Sequence, residues 1–150
     1  HKECFERLAQ FRKEIHVYAP LSYGPKKYAK DVINAGRRIF KRNFYPIMKF
    51  FPANNYARFL SQMDIAVFLH KRQQALGNCA LLLSMGKTIH LKENSPNADH
   101  LRSLGFYTIT DNEPGLKLLS DEEKVANIEL AKRLHNPESL TEQWKSLLYA

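Results

Sequence analysis

Apolar positions along the chain switch between a helical and a strand period, and the switches mark its elements. Phe5, Leu8, Ala9 and Phe11 fall at helical spacing and predict a helix over residues 3–12. Glu14 to Leu21 alternates and is rich in β-branched and aromatic residues, the pattern of a strand. Ser22-Tyr23-Gly24-Pro25 breaks that strand, and Pro25 stands where a helix start tolerates a missing N–H. From Lys26 to Phe40 the pattern is an amphipathic helix, with Tyr28, Val32, Ala35 and Ile39 on one side and Ala29, Ile33 and Phe40 beside them. Phe44 to Phe50 reads as a strand weakened by Pro46. Asn54 or Asn55 is a candidate cap for a helix reaching Met63.

The second half is patterned more sharply. Asp64 to Leu69 is the strongest strand signal, and Ile65-Ala66-Val67-Phe68-Leu69 reads as buried. A polar loop follows, Arg72-Gln73-Gln74-Ala75-Leu76-Gly77, and a helix is expected from Asn78 to Met85, with Gly86 ending it at C′. Thr88 to Leu91 is a strand, Lys92 to Asn97 a loop, Ala98 to Leu104 a helix stopped by Gly105, and Phe106 to Thr110 the last strand. Asp121 to Leu134 is a helix opened by a capping box of Ser120 and Glu123. Asn136-Pro137 breaks it, and Leu140 to Tyr149, carrying Trp144, Leu147 and Leu148, forms a terminal helix. Strands alternating with helices predict a single α/β domain built on a parallel sheet with helices on both faces. Right-handed crossovers place the loops that hold Ser22-Tyr23, Arg72 to Asn78 and Glu93 on one edge of that sheet. Ligands bind along such an edge.

A length of 150 residues suits one domain, and the 44% apolar content is ordinary for a globular chain. No apolar run approaches the roughly 20 residues that span a bilayer, and no signal peptide is evident. The chain opens at His1 rather than Met, so a piece of a longer protein is expected. Cys4 and Cys79 form neither a Cys-x-x-Cys motif nor a disulfide framework, which suits a reducing cytosolic setting. Charge changes the picture more. Between Lys26 and Arg42 seven bases (Lys26, Lys27, Lys30, Arg37, Arg38, Lys41, Arg42) stand against one acid, Asp31, within a chain of net charge +8. Such a patch suits an anionic neighbour, whether nucleic acid, anionic lipid or a phosphorylated substrate, or is simply a solvated helix face.

The candidate chemistry lies at the strand ends. Helix-start N–H groups are unpaired and carry positive potential, so Gly77-Asn78 offers backbone donors to a phosphate, with no Cβ at Gly77 to block approach. Arg72 can grip phosphate oxygens bidentately, and Gln73 and Gln74 carry both donors and acceptors for sugar hydroxyls or a base edge. Tyr23 can stack on a nucleobase, and Glu93 can accept from sugar hydroxyls. The plainer alternatives are a solvated polar loop, an exposed turn tyrosine packed on Pro25, and an exposed glutamate. Gly-x-Gly-x-x-Gly, a P-loop and a Gly-x-Ser-x-Gly elbow are absent, and the six histidines show no metal spacing, so neither a cofactor nor a metal is expected. His16 and His90 fall within strands as structural residues, while His70 sits at a strand end beside the polar loop.

Arg72-Gln73-Gln74, then Gly77 and a Leu-rich helix closing at Gly86, resembles the N-acetylfucosamine (4-acetamido-4,6-dideoxygalactose) transferases of enterobacterial common antigen synthesis. Val17 to Gly24 is similar to that family's strand followed by Pro-x-x-Tyr, and Tyr56 to Asp64 to the helix before its motif strand. Asn136-Pro137 through Trp144 is similar to its C-terminal helix. The resemblance implies most of the Rossmann-like C-terminal domain of a GT-B glycosyltransferase. The domain's first strand and Gly-Asn-Ser loop, and the N-terminal acceptor domain, would lie upstream of His1. It implies a TDP-sugar donor and a polyprenyl-diphosphate-linked saccharide acceptor, with the enzyme peripheral on the inner face of the bacterial cell membrane. Arg72, Gln73, Gln74, Gly77 and Tyr23 would then face the donor, with Ser22, Asn78 and Glu93 beside them. The basic segment Lys26–Arg42 could rest on anionic lipid, and this fragment alone would be inactive. The alternative from another class is a non-enzymatic basic α/β module that binds nucleic acid, whose affinity would fall steeply with salt.

Overall fold

The computed structural model describes residues 1–134 and Asn136. The expected break at Asn136-Pro137 and the terminal helix carrying Trp144 fall outside the described residues, Asn136 apart. The architecture is α/β and Rossmann-like, with every strand pairing parallel. The chain divides into two compact units, His1–Tyr56 and Ala57–Ala150.

The first unit opens with helix α1 (Lys2–Leu8) and a 3-10 turn at Ala9–Phe11. Strand β1 (Val17–Pro20) is shorter than the sequence pattern predicts. The amides of Glu14 and Ile15 are claimed by the carbonyl of Phe11, at 2.9 and 3.2 Å, so these residues close a turn and His16 stands outside the strand. Helix α2 (Lys26–Phe40) occupies the span its periodicity predicts. Its buried face is Ala29, Val32, Gly36 and Phe40, while Tyr28 is exposed. Strand β2 (Phe44–Ile47) pairs with β1, Val17 against Phe44 and Ala19 against Pro46. Pro46, which lacks an amide hydrogen, is accommodated in a two-stranded sheet. The core is aromatic. Phe5 meets Phe40 and Phe44 edge-on at 5.4 and 5.5 Å, and Phe40 stacks near Phe44 at 6.4 Å. A Cβ at Gly36 would run into the Phe44 ring, so only glycine lets α2 approach β2 this closely.

Helix α3 (Ala53–Ser61) contains the division between the units. Its first hydrogen bond runs from Tyr56 N–H to the Pro52 carbonyl at 2.9 Å. Asn54 and Asn55 therefore lie within the first turn and do not cap it.

The second unit holds β3 (Ile65–Phe68), β4 (Thr88–Leu91) and β5 (Ile109–Thr110) in that order, with β4 central and fully buried. Helix α4 (Leu76–Ser84) joins β3 to β4, and α5 (Pro96–Ser103) joins β4 to β5. Helix α6 (Asp121–Leu134) follows β5 and packs on α4. β3, one of the two edge strands of its sheet, is half-buried where the sequence suggests full burial. Gly86 ends α4 with φ of 68°. Lys87 N–H bonds to the Leu82 carbonyl and Gly86 N–H to the Leu83 carbonyl, both at 3.0 Å, the Schellman pattern the sequence predicts. The Ser120–Glu123 capping box forms as expected, with bonds of 3.2 and 2.8 Å. β5 is short because Asn127 claims the Tyr107 peptide: Tyr107 N–H donates to Oδ1 and Nδ2 donates to the Tyr107 carbonyl, both at 2.9 Å. His90 is a structural histidine, as expected. It is buried in β4, and its Nε2 donates to the Lys117 carbonyl at 2.9 Å.

Candidate functional site

Parallel strands send their following loops to the same edge of the sheet. In the second unit this brings together the loop after β3 (69–75) and the loop after β4 (92–95). The contact between them is made by Asn97, at the second position of α5. Its Nδ2 donates to the Gln74 carbonyl at 2.6 Å, and Gln74 N–H donates to its Oδ1 at 3.3 Å. Asn97 is only 2% exposed. By sequence it falls within the loop expected over Lys92 to Asn97, since a single asparagine after Ser-Pro carries no sign of a long-range partner.

Next to Gln74, Ala75 is the N-cap of α4 and adopts the left-handed conformation, φ 57° and ψ 25°. For alanine this costs about 1–2 kcal/mol. It turns the chain so that α4 starts at Leu76, two residues before the expected Asn78. Cys79 N–H makes the first intrahelical bond, to the Ala75 carbonyl at 3.0 Å. Among the described residues nothing accepts from the amides of Leu76, Gly77 or Asn78. Gly77 is exposed, and a Cβ added there would meet no atom within 4 Å. A groove of about 220 Å³ opens beside this turn, walled by Leu76, Gly77 and Ala80 of α4 and by Leu101 and Leu104, with His100 on its rim.

Arg72, Gln73 and Gln74 are all exposed. Arg72 is not loose, however. With the Gln74 amide oriented by its hydrogen bonds, its oxygen accepts from Arg72 Nε at 3.3 Å and from Nη2 at 3.0 Å. His70 is half-buried, its ring tilted against Phe68 at 5.8 Å, and its Nδ1 is enclosed without a hydrogen-bond partner among the described residues. Burial lowers its pKa and the Arg72 charge acts in the same direction, so the imidazole is neutral at pH 7. Cys79 is fully buried, and burial pushes its thiol up to about 11, far from a reactive thiolate.

Glu93 reaches this edge in a different role from the sugar contact considered above. Its carboxylate accepts from the Thr110 hydroxyl and from Arg102 Nη2 at 3.1 Å, and both hold its pKa below the usual value. Its own N–H donates to Asp111 Oδ1 at 2.7 Å, and Lys92 Nζ lies 3.3 Å from Asp111 Oδ2. The loop after β4 is thereby tied to the end of β5. Ser95, the N-cap of α5, accepts from Ala98 N–H at 3.2 Å, and Pro96 opens the helix. Because the folded state lowers the Glu93 pKa, it stabilises the fold above the ordinary glutamate value of about 4.3, and this is lost as pH falls through the lowered pKa. Glu93→Gln is therefore less stable than the parent at pH 7, and the gap closes as urea midpoints are followed down to pH 3. A gap independent of pH would contradict this role.

Ser22 and Tyr23 belong to the first unit. Tyr23 is 76% exposed and meets the ring of Phe50 edge-on at 5.9 Å, so the loops after β1 and β2 lie side by side. The ring it meets is Phe50, where the sequence suggested Pro25. All seven bases from Lys26 to Arg42 are exposed. Among the described residues no three His, Cys, Asp or Glu side chains are grouped to hold a metal ion, and no helix is long and apolar enough to cross a membrane.

No solved structure matches the chain significantly. The family described as 4-alpha-L-fucosyltransferase, glycosyl transferase group 56, matches residues 1–150, the whole chain. An α/β chain with parallel strands accords with that match, and the protein belongs to this family of glycosyltransferases.

Proposed function

We propose that the chain is the donor-binding half of a GT-B glycosyltransferase, and that the start of α4 receives the diphosphate of a nucleotide-sugar. The observation that carries this reading is the conjunction at residues 72–78. An exposed guanidinium held by Gln74 stands just before a helix turn whose first amides have no partner among the described residues. In the transfer, the bond from the anomeric carbon to the diphosphate oxygen breaks as an acceptor hydroxyl oxygen bonds to that carbon. The departing diphosphate takes the electron pair and its charge rises. Arg72 and the positive end of α4 favour that charge, a role a divalent cation can fill elsewhere. Gln73 and Asn78 supply hydrogen bonds at the margins of this site. The base that takes the acceptor proton comes from outside the donor-binding half, so this half alone transfers nothing.

The resemblance described above supports a donor of the TDP-N-acetylfucosamine type and a polyprenyl-diphosphate-linked saccharide as acceptor. Such an acceptor is held at the cytoplasmic face of a membrane. The exposed bases of α2 and the turn after it offer a face complementary to anionic lipid there. No observation beyond charge favours nucleic acid as the partner of that face.

Gly77→Ala separates binding from folding. The new methyl group meets no protein atom, and alanine is up to about 1 kcal/mol better than glycine in a helix. Without ligand, the melting temperature of the full-length protein should stay level or rise. With saturating TDP, the parent gains stability by mass action and the variant gains much less, because the Cβ stands between the phosphate and the backbone amides. An equal gain in both proteins would remove the diphosphate from this turn.

A further inference from the structure

We propose that Asn97 is a positioning residue for donor binding: by gripping the Gln74 peptide it fixes the support from which Gln74 holds the Arg72 guanidinium. The proposal rests on the reading that Arg72 binds the donor diphosphate. Three links carry it. Asn97 is buried and uses both ends of its amide on one peptide, at 2.6 and 3.3 Å, as a neighbouring strand would. That peptide belongs to Gln74, whose side-chain oxygen engages Arg72 Nε and Nη2. Arg72 itself is exposed, and no other described group restrains its guanidinium.

A second clamp in the same unit shows what purely structural use of this device looks like. Asn127 grips the Tyr107 peptide with two bonds of 2.9 Å and is fully buried. Tyr107 precedes β5, at the amino end of the sheet, whereas Gln74 follows β3, at the carboxyl end. The two clamps share their chemistry and differ in what the gripped peptide carries. Beyond Tyr107 the chain simply continues into β5. Beyond Gln74 stand the guanidinium support and the turn into α4. Without Asn97, the Gln74 N–H and carbonyl lose their buried partner and the loop gains conformations. Arg72 must then be ordered when the donor binds, and that ordering lowers affinity.

The test is TDP titration calorimetry on the full-length protein, read beside melting temperatures. Asn97→Ala should weaken TDP about fivefold or more, the scale set by re-ordering a long side chain at a binding site. Asn127→Ala should lower the melting temperature comparably and leave TDP affinity unchanged. In the double variant Arg72→Ala/Asn97→Ala, the loss of TDP affinity should be clearly less than the two single losses combined, because Asn97 acts through Arg72. Unchanged TDP affinity in Asn97→Ala, or additive losses in the double variant, would overturn the proposal. If Asn97→Ala does not fold, Asn97→Ser, which also lacks the second hydrogen-bonding end, is held to the same two criteria. If Arg72→Ala binds TDP as the parent does while Asn97→Ala is weakened, it is the assignment of the diphosphate to Arg72 that fails, and the relay through Gln74 fails with it.

Discussion

Replacing Arg72 with alanine lowers sugar transfer by the full-length enzyme at least tenfold, about 1.4 kcal/mol of transition-state stabilisation. The expectation follows from what the guanidinium has left to offer. Arginine carries five N–H donors, and Gln74 engages one on Nε and one on Nη2, so three remain for a ligand. Charge on the diphosphate grows as the glycosidic bond breaks, so the loss should appear in kcat as well as in donor affinity. Arg72→Lys should recover only part of the activity. An ammonium group is a point charge and cannot keep the forked contact with Gln74 while it binds phosphate. Steady-state kinetics with a TDP-sugar donor decides the matter, and unchanged turnover in Arg72→Ala would exclude this role.

Gly36→Ala destabilises the first unit by about 1–3 kcal/mol, the usual cost of forcing a methyl group into a filled core. Two effects oppose each other at this position. Alanine is up to about 1 kcal/mol better than glycine within a helix, which alone would stabilise α2. The Cβ, however, would occupy space held by the Phe44 ring, and that ring has nowhere to go. It is wedged edge-on against Phe5 at 5.5 Å and lies near Phe40 at 6.4 Å, both buried. Overpacking therefore wins. At roughly 2–4 °C per kcal/mol for a chain of this size, the melting temperature should fall by several degrees. A rise would mean that the aromatic cluster yields and that α2 does not need glycine to reach β2.

Much of the fold could be read from periodicity because its elements obey local rules. Helix α2 carries its apolar and basic faces in register, β4 is a short strand bounded by Gly86 and the Lys92–Asn94 turn, and α6 opens on a capping box that forms. The misjudged starts of β1 and β5 share one cause: another group took the backbone hydrogen bonds. Phe11 claims the amides that would lengthen β1 toward Glu14, and Asn127 claims the Tyr107 peptide that would lengthen β5 toward Phe106. α4 starts early because Ala75 adopts a left-handed conformation that nothing in its residue type announces.

The candidate site was legible in the same measure. The loop residues that follow a strand and precede a helix could be named from the sequence, and Arg72, Gln74 and Gly77 do stand at that edge. Glu93 was also placed there, but its carboxylate serves Thr110 and Arg102. What the sequence could not show is the coupling across 23 residues between Asn97 and the Gln74 peptide, since it rests on tertiary geometry and not on spacing.

The account turns on where a nucleoside diphosphate docks, and hydrogen exchange on the full-length protein with and without TDP reads this directly. Peptides covering residues 70–80 should gain protection on adding TDP, because the amides of Leu76, Gly77 and Asn78 acquire acceptors and the Arg72 loop is immobilised. Those covering Lys26–Arg42 should not change. Protection confined to the basic helix, with residues 70–80 exchanging as before, would contradict the central claim.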